Sequence, residues 1–315
     1  MSHLNRLTLV GSGVLGGQIA FHSAFKGKTV VVYDIAEDAI ARCQAAHDEY
    51  AAIYQSDLGA TDADIAATKQ RLTFTTDLAA AVAQADLVIE AVPEIPDVKT
   101  SVYKEMAELL PAHTLIATNT SLLLPSDFAA ATGRPEKFCA LHFANLIWAM
   151  NFAEIMAHPG SSTATLTEVT EFAVEIGMMP IPVRREHSGY VVNSWFFPFM
   201  NAAQTLVTNG ISTPEDIDRT FMVLGAPMGP LGLADMVGMN TAYNVTSYTG
   251  HQTGDAQMIA NAEYLKKNFL DKGLLGRQTG KGYYEYPNPA FQRPDFLEVP
   301  DISVVPHVVS LISHQ

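Results

Sequence analysis

The sequence predicts an α/β chain in which a doubly wound parallel sheet precedes an all-helical domain. Over the first half, short apolar runs alternate with segments of helical spacing, which is how chains that form parallel sheets are organised. Beyond about residue 186, long apolar stretches recur at helical spacing instead. We therefore expect one domain over residues 1–186 and a helical domain over residues 187–315, with the boundary near residues 185–188.

Five apolar runs carry the strand prediction. The first leads directly into a glycine-rich turn and then into a helical pattern over residues 18–25, and the second is followed by an alanine-rich helical pattern. Strand, helix and strand in this order predict crossovers between parallel neighbours. The predicted strands are residues 6–10, 29–33, 87–92, 114–117 and 138–142.

The second half contains helix signals. Apolar residues recur at helical spacing over residues 190–207, 217–224 and 257–269. A helix start is predicted at Thr213, because threonine can cap the first turn and is followed by Pro214 and two acidic residues. Proline is tolerated in the first turn, and acidic side chains suit the positive end of the helix dipole.

Composition excludes several classes of partner. The formal net charge is −14 and no block rich in lysine or arginine occurs, whereas nucleic acids and anionic membranes bind clustered positive charge. We therefore expect a small-molecule ligand. Cys43 and Cys139 stand far apart, which fits a reducing cytoplasm and gives no cysteine metal site. No histidine motif has metal-ligand spacing, so no metal is expected, and no apolar run predicts a membrane span.

A glycine-rich turn between the first strand and the first helix predicts a dinucleotide site. Gly11, Gly13 and Gly16 have the GxGxxG spacing, and Asp34 ends the next strand about 20 residues later. The glycines permit a tight turn, approach of the backbone to a pyrophosphate and close packing of helix on strand. Because a carboxylate binds ribose hydroxyls and repels a 2′-phosphate, we expect NAD rather than NADP. In the plainer interpretation, Asp34 is an ordinary strand-end residue.

His142 is the leading candidate for proton transfer among ten histidines. It ends a predicted strand, and open α/β sheets bind ligands beyond the carboxyl ends of their strands. Histidine titrates near neutral pH, so it can take the hydroxyl proton while a hydride leaves an alcohol carbon. Position alone leaves open the alternative of a histidine buried only for packing.

Seven stretches between Gly11 and about Tyr284 form a further pattern. They are GSGVLGGQIA, ADLVIEAVPEIPDVK, NTSLL, ALHFANL followed by NFAEIM, GYVVN, GAPMGPLGLADMVG and GRQTGKGYY. In order and spacing, these stretches resemble the 3-hydroxyacyl-CoA dehydrogenase family. The resemblance implies a Rossmann-type NAD-binding domain and a helical C-terminal domain for substrate binding and dimerisation, so we expect a homodimer.

The same resemblance implies the catalytic residues. His142 corresponds to the family's acid and base, and Glu154 in NFAEIM to the carboxylate that pairs with it. Ser121 and Asn193 correspond to polar residues around the reacting oxygen and the nicotinamide, where they stabilise charge on oxygen. Without the resemblance, Glu154 is equally a solvated strand residue, Ser121 a turn residue and Asn193 a polar residue on a helix face.

Further residues are implied near the cofactor. Glu94 and Lys99 match positions that the family places beside it, and Asn145 matches the asparagine three residues after the family's histidine. As an alternative, Glu94 and Lys99 form a solvated pair worth little energy. The complete expected cofactor set is Gly11, Gly13, Val14, Leu15, Gly16, Asp34, Glu94, Lys99, Ser121 and Asn145.

Two departures from the family bear on the substrate. The usual HFFNP reads HFANL here, with Ala144 and Leu146 followed by Trp148, so acyl-chain preference is not carried over. Between Glu37 and Asp64 the only basic residue is Arg42, although relatives often carry lysines there for the CoA phosphates. An acidic face steers a polyanion poorly.

These observations leave three functions open. The first is an NAD-dependent L-3-hydroxyacyl-CoA dehydrogenase, for a short acyl group, of the kind found in fatty acid metabolism. The second keeps the chemistry but acts on a free 3-hydroxy acid without CoA, of the sugar-acid or carnitine type, as the acidic segment favours. The third is a catalytically silent nucleotide-binding protein.

Overall fold

The computed structural model describes residues 3–299. These fall into two compact units that divide between Ser194 and Trp195, called the sheet unit and the helical unit below. The boundary predicted at residues 186 and 187 lies a few residues earlier in the chain, and the domain division with its assigned roles stays a prediction.

The sheet unit contains one eight-stranded sheet with the order β3-β2-β1-β4-β5-β6-β7-β8. The order reverses at β1, as in doubly wound sheets, and all neighbours are parallel except β6 and β7. The fold class predicted for this half is confirmed. The strands are β1 (Arg6–Val10), β2 (Thr29–Tyr33), β3 (Leu72–Thr75), β4 (Leu87–Glu90), β5 (Leu115–Thr118), β6 (Phe138–Phe143), β7 (Phe152–Met156) and β8 (Met179–Val183).

Three strands were not predicted from the sequence. β3 has only four residues, and β8 contains Pro180 and Pro182, which a strand tolerates at the sheet edge. β7 pairs with β6 in an antiparallel hairpin, because the eight residues between them are too few for a helical crossover. The predicted strand over residues 87–92 ends earlier, at Glu90.

Helices cover both faces of the sheet, so its strands are buried on both sides. Leu7 and Leu9 of β1 belong to one apolar cluster, whereas Val10 belongs to another on the opposite side. This two-sided burial explains the continuous apolar strand sequences. The helices of this unit are α1 (Val14–Phe25), α2 (Glu37–Leu58), α3 (Asp62–Gln70), α4 (Leu78–Val82), α5 (Pro96–Leu109) and α6 (Thr163–Glu175), with 3-10 turns at Pro125–Asp127, Ala129–Thr132 and Pro135–Lys137.

The helical unit is built without strands in its described part, residues 195–299. Its first helix, α7 (Val192–Thr208), begins in the last residues of the sheet unit, and α8 (Pro214–Met222) starts as predicted, with the Thr213 side chain accepting from Asp216 N. Helices α9 and α10 were not predicted. The remaining elements are α9 (Pro230–Val237), α10 (Met239–Thr253), α11 (Ala256–Asn268) and the 3-10 turns Leu270–Lys272, Arg277–Thr279, Ala290–Gln292 and Pro294–Leu297.

Two buried aspartates organise this unit. Asp218 accepts hydrogen bonds from the backbone of Leu231 and Gly232, each at 2.8 Å. Asp235 accepts from the amides of Tyr283 and Tyr284, also at 2.8 Å. The two aspartates therefore connect the segments GAPMGPLGLADMVG and GRQTGKGYY to the helices of the unit.

None of the helices within residues 3–299 has the length and apolar character that crossing a membrane requires.

Candidate active site

The carboxyl ends of the strands bring the predicted site residues to one edge of the sheet. Gly11 follows β1, Asp34 follows β2 and Ser121 lies just beyond β5. His142 is the next-to-last residue of β6. Parallel strands present their carboxyl ends on the same side, so residues that are distant in sequence become neighbours there.

The glycine-rich turn has two positions that only glycine fits. Gly11 has φ +109°, and a Cβ there would lie 2.5 Å from the carbonyl oxygen of Ala91. A Cβ on Gly16 would lie 2.1 Å from the carbonyl oxygen of Gly11. Gly13 stands at the start of α1 and, within the described residues, no side chain caps the first amides of that helix. These amides and the helix dipole can therefore hold a phosphate group.

Asp34 closes the turn from the neighbouring strand. Its Oδ2 accepts from the backbone nitrogen and the hydroxyl of Ser12 at 2.8 and 2.7 Å, and its Oδ1 accepts from Ala36 N at 3.2 Å. A cavity of about 770 Å³ opens here, with Gly13, Asp34 and the exposed Ile35 in its lining. Free amides beside a positioned carboxylate fit the pyrophosphate and the ribose of NAD.

His142 and Glu154 form a cross-strand pair. The antiparallel register of β6 and β7 places the two residues directly opposite each other, and His142 Nδ1 lies 2.9 Å from Glu154 Oε2. Both are buried, with exposed fractions of 4% and 0%. Because a carboxylate only accepts, Nδ1 carries a hydrogen, and Nε2 is the nitrogen that can take up a proton. The alternative of a solvated Glu154 is wrong.

Both partners of this pair are held by further contacts. Ser121 Oγ lies 3.1 Å from His142 Nε2. The second oxygen of Glu154 accepts from the amides of Val191 and Val192 at 2.8 and 2.9 Å. The imidazole is thus bound at both nitrogens and the carboxylate at both oxygens, which fixes their orientation before any substrate enters.

Glu94 holds the loop that carries Ser121. Its Oε1 accepts from the amides of Ser121 and Leu122, each at 3.0 Å, and from the Thr120 hydroxyl. Burial raises the pKa of Glu94, but the Lys99 ammonium, 3.2 Å from Oε2, and these hydrogen bonds outweigh burial, so its pKa lies below the ordinary value. Glu94 is therefore ionised at neutral pH and positions Ser121.

Glu90 is a buried acceptor that the sequence analysis missed. It accepts from Lys99 Nζ at 2.7 Å, Tyr103 OH at 2.6 Å, Thr118 Oγ1 at 2.8 Å and Val92 N at 2.8 Å. Lys99 is only 1% exposed, so the alternative of a solvated ion pair is wrong for this lysine. The sequence feature that indicates such an acceptor is a carboxylate at the end of an apolar strand, because a buried carboxylate needs several donors.

A second cavity, of about 290 Å³, is lined by residues of the glycine-rich turn and by Glu94 and Lys99. Two predicted residues, Asn193 and Asn145, are not in this lining. Asn193 is half-buried in the first turn of α7, directly after the amides that bind Glu154, and Asn145 is exposed in the loop after β6. Within residues 3–299 neither side chain makes a hydrogen bond. The lining includes Gly13, Val14, Leu15, Gly16, Glu94, Lys99, Asn119 and Ser121.

The loop after His142 has an unusual backbone. Leu146 has φ +62°, a left-handed conformation that proline, with φ fixed near −65°, cannot adopt. Gln18 Oε1 accepts from the amide of Leu146 at 2.7 Å, and Trp148 packs against Tyr50 and Tyr54 of α2 with ring centroids 5.4 and 6.1 Å apart. The loop therefore follows a path that the family's HFFNP sequence does not allow.

The acidic segment forms α2 and the first turn of α3. Its one basic residue, Arg42, pairs with Asp38, and Lys69 pairs with Asp48 at 2.5 Å. All four side chains are largely exposed. Both cations are thus neutralised by local carboxylates, and this face keeps its excess of negative charge.

Comparison with known proteins also divides the chain into an N-terminal and a C-terminal domain. The family described as "3-hydroxyacyl-CoA dehydrogenase, NAD binding domain" matches residues 6–187, and "3-hydroxyacyl-CoA dehydrogenase, C-terminal domain" matches residues 189–286. A probable 3-hydroxybutyryl-CoA dehydrogenase from Deinococcus radiodurans is 32% identical, over 88% of this chain and 99% of that protein. Human mitochondrial hydroxyacyl-coenzyme A dehydrogenase is 31% identical, over 90% and 91% of the two chains.

One similar solved structure is described as a diketoreductase that catalyses reactions of dicarbonyl compounds. It is 45% identical, with a TM-score of 0.83, and the match covers 91% of this chain and 100% of that one. Matches over both domains, together with the glycine-rich turn and its cavity, establish the family and the cofactor. The chain belongs to the 3-hydroxyacyl-CoA dehydrogenase family and is an NAD-dependent oxidoreductase.

Proposed function

We propose that the chain interconverts a 3-hydroxyacyl compound and its 3-oxoacyl counterpart, with His142 as the acid and base. The observation that carries this proposal is the line of contacts from Ser121 Oγ through the His142 imidazole to Glu154. It leaves Nε2 beside a hydroxyl group at the edge of the sheet where the glycine-rich turn lies. This is the arrangement that proton transfer coupled to hydride transfer requires.

In the oxidation direction, His142 Nε2 takes the proton of the substrate hydroxyl, and Glu154 stabilises the imidazolium that forms. Bound NAD supplies the acceptor for the hydride. Ser121 Oγ and Asn193 are proposed to donate to the substrate oxygen as it becomes a carbonyl oxygen. In the reduction direction, His142 returns the proton to that oxygen.

The remaining expected residues are proposed to bind the cofactor. Free amides after Gly13 suit the pyrophosphate, and Asp34 suits the ribose hydroxyls. Glu94 and Lys99 share the second cavity with the glycine-rich turn, which supports a place near the nicotinamide. For Asn145 the support is its match to the family alone.

The first candidate substrate is a short-chain L-3-hydroxyacyl-CoA. Its support is the family, whose curated relatives include 3-hydroxybutyryl-CoA dehydrogenases that align over nearly their whole length.

A second candidate keeps the reaction but lacks CoA. It is favoured by the 45% identity to the diketoreductase and by the acidic face of α2, where both nearby cations are already paired. A free 3-hydroxy acid or a small dicarbonyl compound needs no cluster of lysines for its phosphates, whereas CoA does.

The test is NADH oxidation with acetoacetyl-CoA, longer 3-oxoacyl-CoAs, free 3-oxo acids and a small diketone. Saturable turnover of any of these supports the reaction, and no turnover of the whole panel would overturn it. A kcat/KM for CoA esters above that for free acids by about 100-fold or more decides for the first candidate, and the reverse decides for the second. As a charge control, Glu49→Lys on α2 should lower KM for a CoA ester and leave KM for a diketone unchanged.

We further propose a homodimer in the cytoplasm. The apolar side chains Trp195, Val223 and Leu224 are 59%, 65% and 80% exposed in the helical unit, which suits a surface covered by a second copy. The pair of buried, unpaired cysteines fits a reducing compartment. Light scattering of the purified protein tests the dimer, and a monomeric mass at micromolar concentration would contradict it.

A further inference from the structure

Tyr190 has a conformation and surroundings that the proposed proton transfer does not yet use. It has φ +53°, which is rare for a residue that is neither glycine nor asparagine. Its side chain is 1% exposed and its ring lies on the His142 ring, with centroids 4.6 Å apart and an angle of 22° between the planes. Strained backbone that persists next to a reactive group indicates a constraint imposed by function.

The backbone of this residue connects the stacked ring with the carboxylate of the pair. Tyr190 N donates to His187 O at 3.0 Å, and the Ser194 hydroxyl donates to the Tyr190 carbonyl oxygen. The next two amides bind Glu154 Oε1. The left-handed conformation therefore turns the side chain back onto His142 while the following amides point at Glu154.

The hydroxyl group of Tyr190 is not what keeps the residue in place. Among the described residues this hydroxyl has no hydrogen-bond partner, although it is buried. Burial, and next the Glu94 and Glu154 carboxylates, raise the pKa of Tyr190 above its ordinary range, so the phenol stays neutral. A buried hydroxyl without a partner is a cost to the fold, and the contact with His142 is made by the ring.

We propose that Tyr190 is a positioning residue for His142, whose stacked ring fixes the imidazole plane and stabilises the ring in its protonated form. This inference rests on the proposed role of His142. A flat aromatic face attracts a cation above it, and it adds to the attraction of Glu154 at the ring edge. The stack also excludes water from one face of the imidazole, which leaves Nε2 as the route for the proton.

Three charged groups act on His142, directly or through a neighbouring residue. Glu154 faces it from β7, and Glu94 acts through the Ser121 loop after β5, with Lys99 of α5 behind it. Cys139 lies earlier on β6 and is buried, and burial raises the pKa of its thiol to about 12, so it stays uncharged. Among the hydrogen bonds, ion pairs and ring contacts within residues 3–299, the partners of the imidazole are Glu154, Ser121 and the Tyr190 ring.

The experiment compares Tyr190→Leu with Tyr190→Phe in the full-length protein. The leucine variant removes the stack, so we expect kcat to fall by about 10-fold while KM for NADH stays within about twofold. Because protonated His142 then loses a stabilising contact, the acidic limb of the oxidation pH profile should move to lower pH by roughly half a unit. The phenylalanine variant keeps the stack and should match the wild type in kcat and pH profile. It should also melt at an equal or higher temperature, because no hydrogen bond is lost.

Three further variants separate the possible explanations. Phe172→Leu removes a buried aromatic ring of α6 that, within the described residues, makes no ring contact with His142, and it should lower the melting temperature without moving the pH limb. If Tyr190→Leu does not fold, Tyr190→Asn replaces it, because asparagine tolerates a left-handed backbone. His142→Gln shows whether the proposed function itself holds.

The outcomes are distinct. If His142→Gln keeps normal turnover, the proposed function fails and this inference fails with it. If His142→Gln is inactive but the leucine or asparagine variant keeps the wild-type kcat and pH limb, only the role of Tyr190 is overturned. A loss of kcat in Tyr190→Phe equal to that in Tyr190→Leu would also overturn it, because the stack would then not be the cause.

Discussion

Buried carboxylates of the sheet unit face ionisable partners, whereas those of the helical unit face neutral donors. Glu90 contacts Lys99, and Glu154 contacts His142. Asp218 and Asp235 bind backbone amides and tyrosine hydroxyls, and within residues 195–299 neither aspartate has a cationic partner. Burial raises the pKa of both aspartates, that of Asp235 to about 6.

The difference separates carboxylates that influence a reaction from carboxylates that hold the fold together. A carboxylate beside an imidazole changes how readily that ring holds a proton, so it influences a reaction. Asp218 and Asp235 each bind two successive amides and have no imidazole or ammonium partner within residues 195–299, so each fixes a loop on a helix. Close backbone approach supports this interpretation, because a Cβ on Gly282 would lie 2.0 Å from Asp235 Oδ1. We therefore interpret the glycine-rich motifs of the helical unit as structural.

The largest expected effect comes from breaking the ion pair of the sheet unit. Glu154→Gln keeps the size of the side chain but removes the charge that stabilises the imidazolium, so we expect kcat to fall by about 100-fold. The affinity for NADH should change little, because Glu154 lies outside both cavities. Steady-state kinetics and fluorescence titration with NADH measure the two quantities. Equal losses in kcat and in NADH affinity would contradict a role in proton transfer.

A smaller effect, on stability alone, is expected in the helical unit. Asp235→Asn leaves the amide of Tyr283 or Tyr284 without an acceptor, so the free energy of unfolding should fall by about 1–3 kcal/mol. Denaturant unfolding measures this change. Asp271→Asn is the matched control, because it removes an exposed ion pair with Lys266 and should change the stability little. An equal fall in the free energy of unfolding for both variants would contradict a structural role for Asp235.

The last expected contrast is an opposite response of the two units to acid. Burial lowers the pKa of His22 and His47 to about 4, so the sheet unit loses stability as pH falls from 6.5 towards 4, where the unfolded chain takes up protons first. The raised pKa of Asp235 acts in the other direction. Between about 6 and 3.8 the folded helical unit binds its proton more readily than the unfolded chain, so falling pH adds stability.

Hydrogen exchange at pH 7 and pH 5 resolves the two units. After correction for intrinsic exchange rates, protection should fall around α1 and α2 and should hold or rise around α9. Asp235→Asn should remove the gain in the helical unit and leave the sheet unit unchanged. The same loss of protection in both units would contradict the contrast.

Much of the fold follows from the sequence because its signals are local. The first strand, the glycine-rich turn and the first helix are adjacent in the chain, and Thr213 caps α8 through a contact three residues away. The pair of His142 and Glu154 is harder, because its spacing of twelve residues has meaning only once β6 and β7 are known to form a hairpin. From the sequence alone, only the family resemblance implies this pair.

Other parts of the site could not be predicted, since they depend on tertiary packing. Leucine and tyrosine rarely adopt a left-handed backbone, so nothing local indicates φ +62° at Leu146 or φ +53° at Tyr190. Gln18 holds the first of these through a contact across 128 residues of sequence. The role of Glu90 could have been predicted, because a carboxylate that ends a buried strand requires hydrogen-bond donors.

The central claim is that His142 carries the proton during hydride transfer, and His142→Gln tests it most directly. Glutamine keeps a polar side chain but cannot exchange a proton near neutral pH. With the best substrate of the panel, we expect kcat to fall by at least about 100-fold while the affinity for NADH stays within about twofold. Turnover close to that of the wild type, with NADH binding intact, would contradict the account.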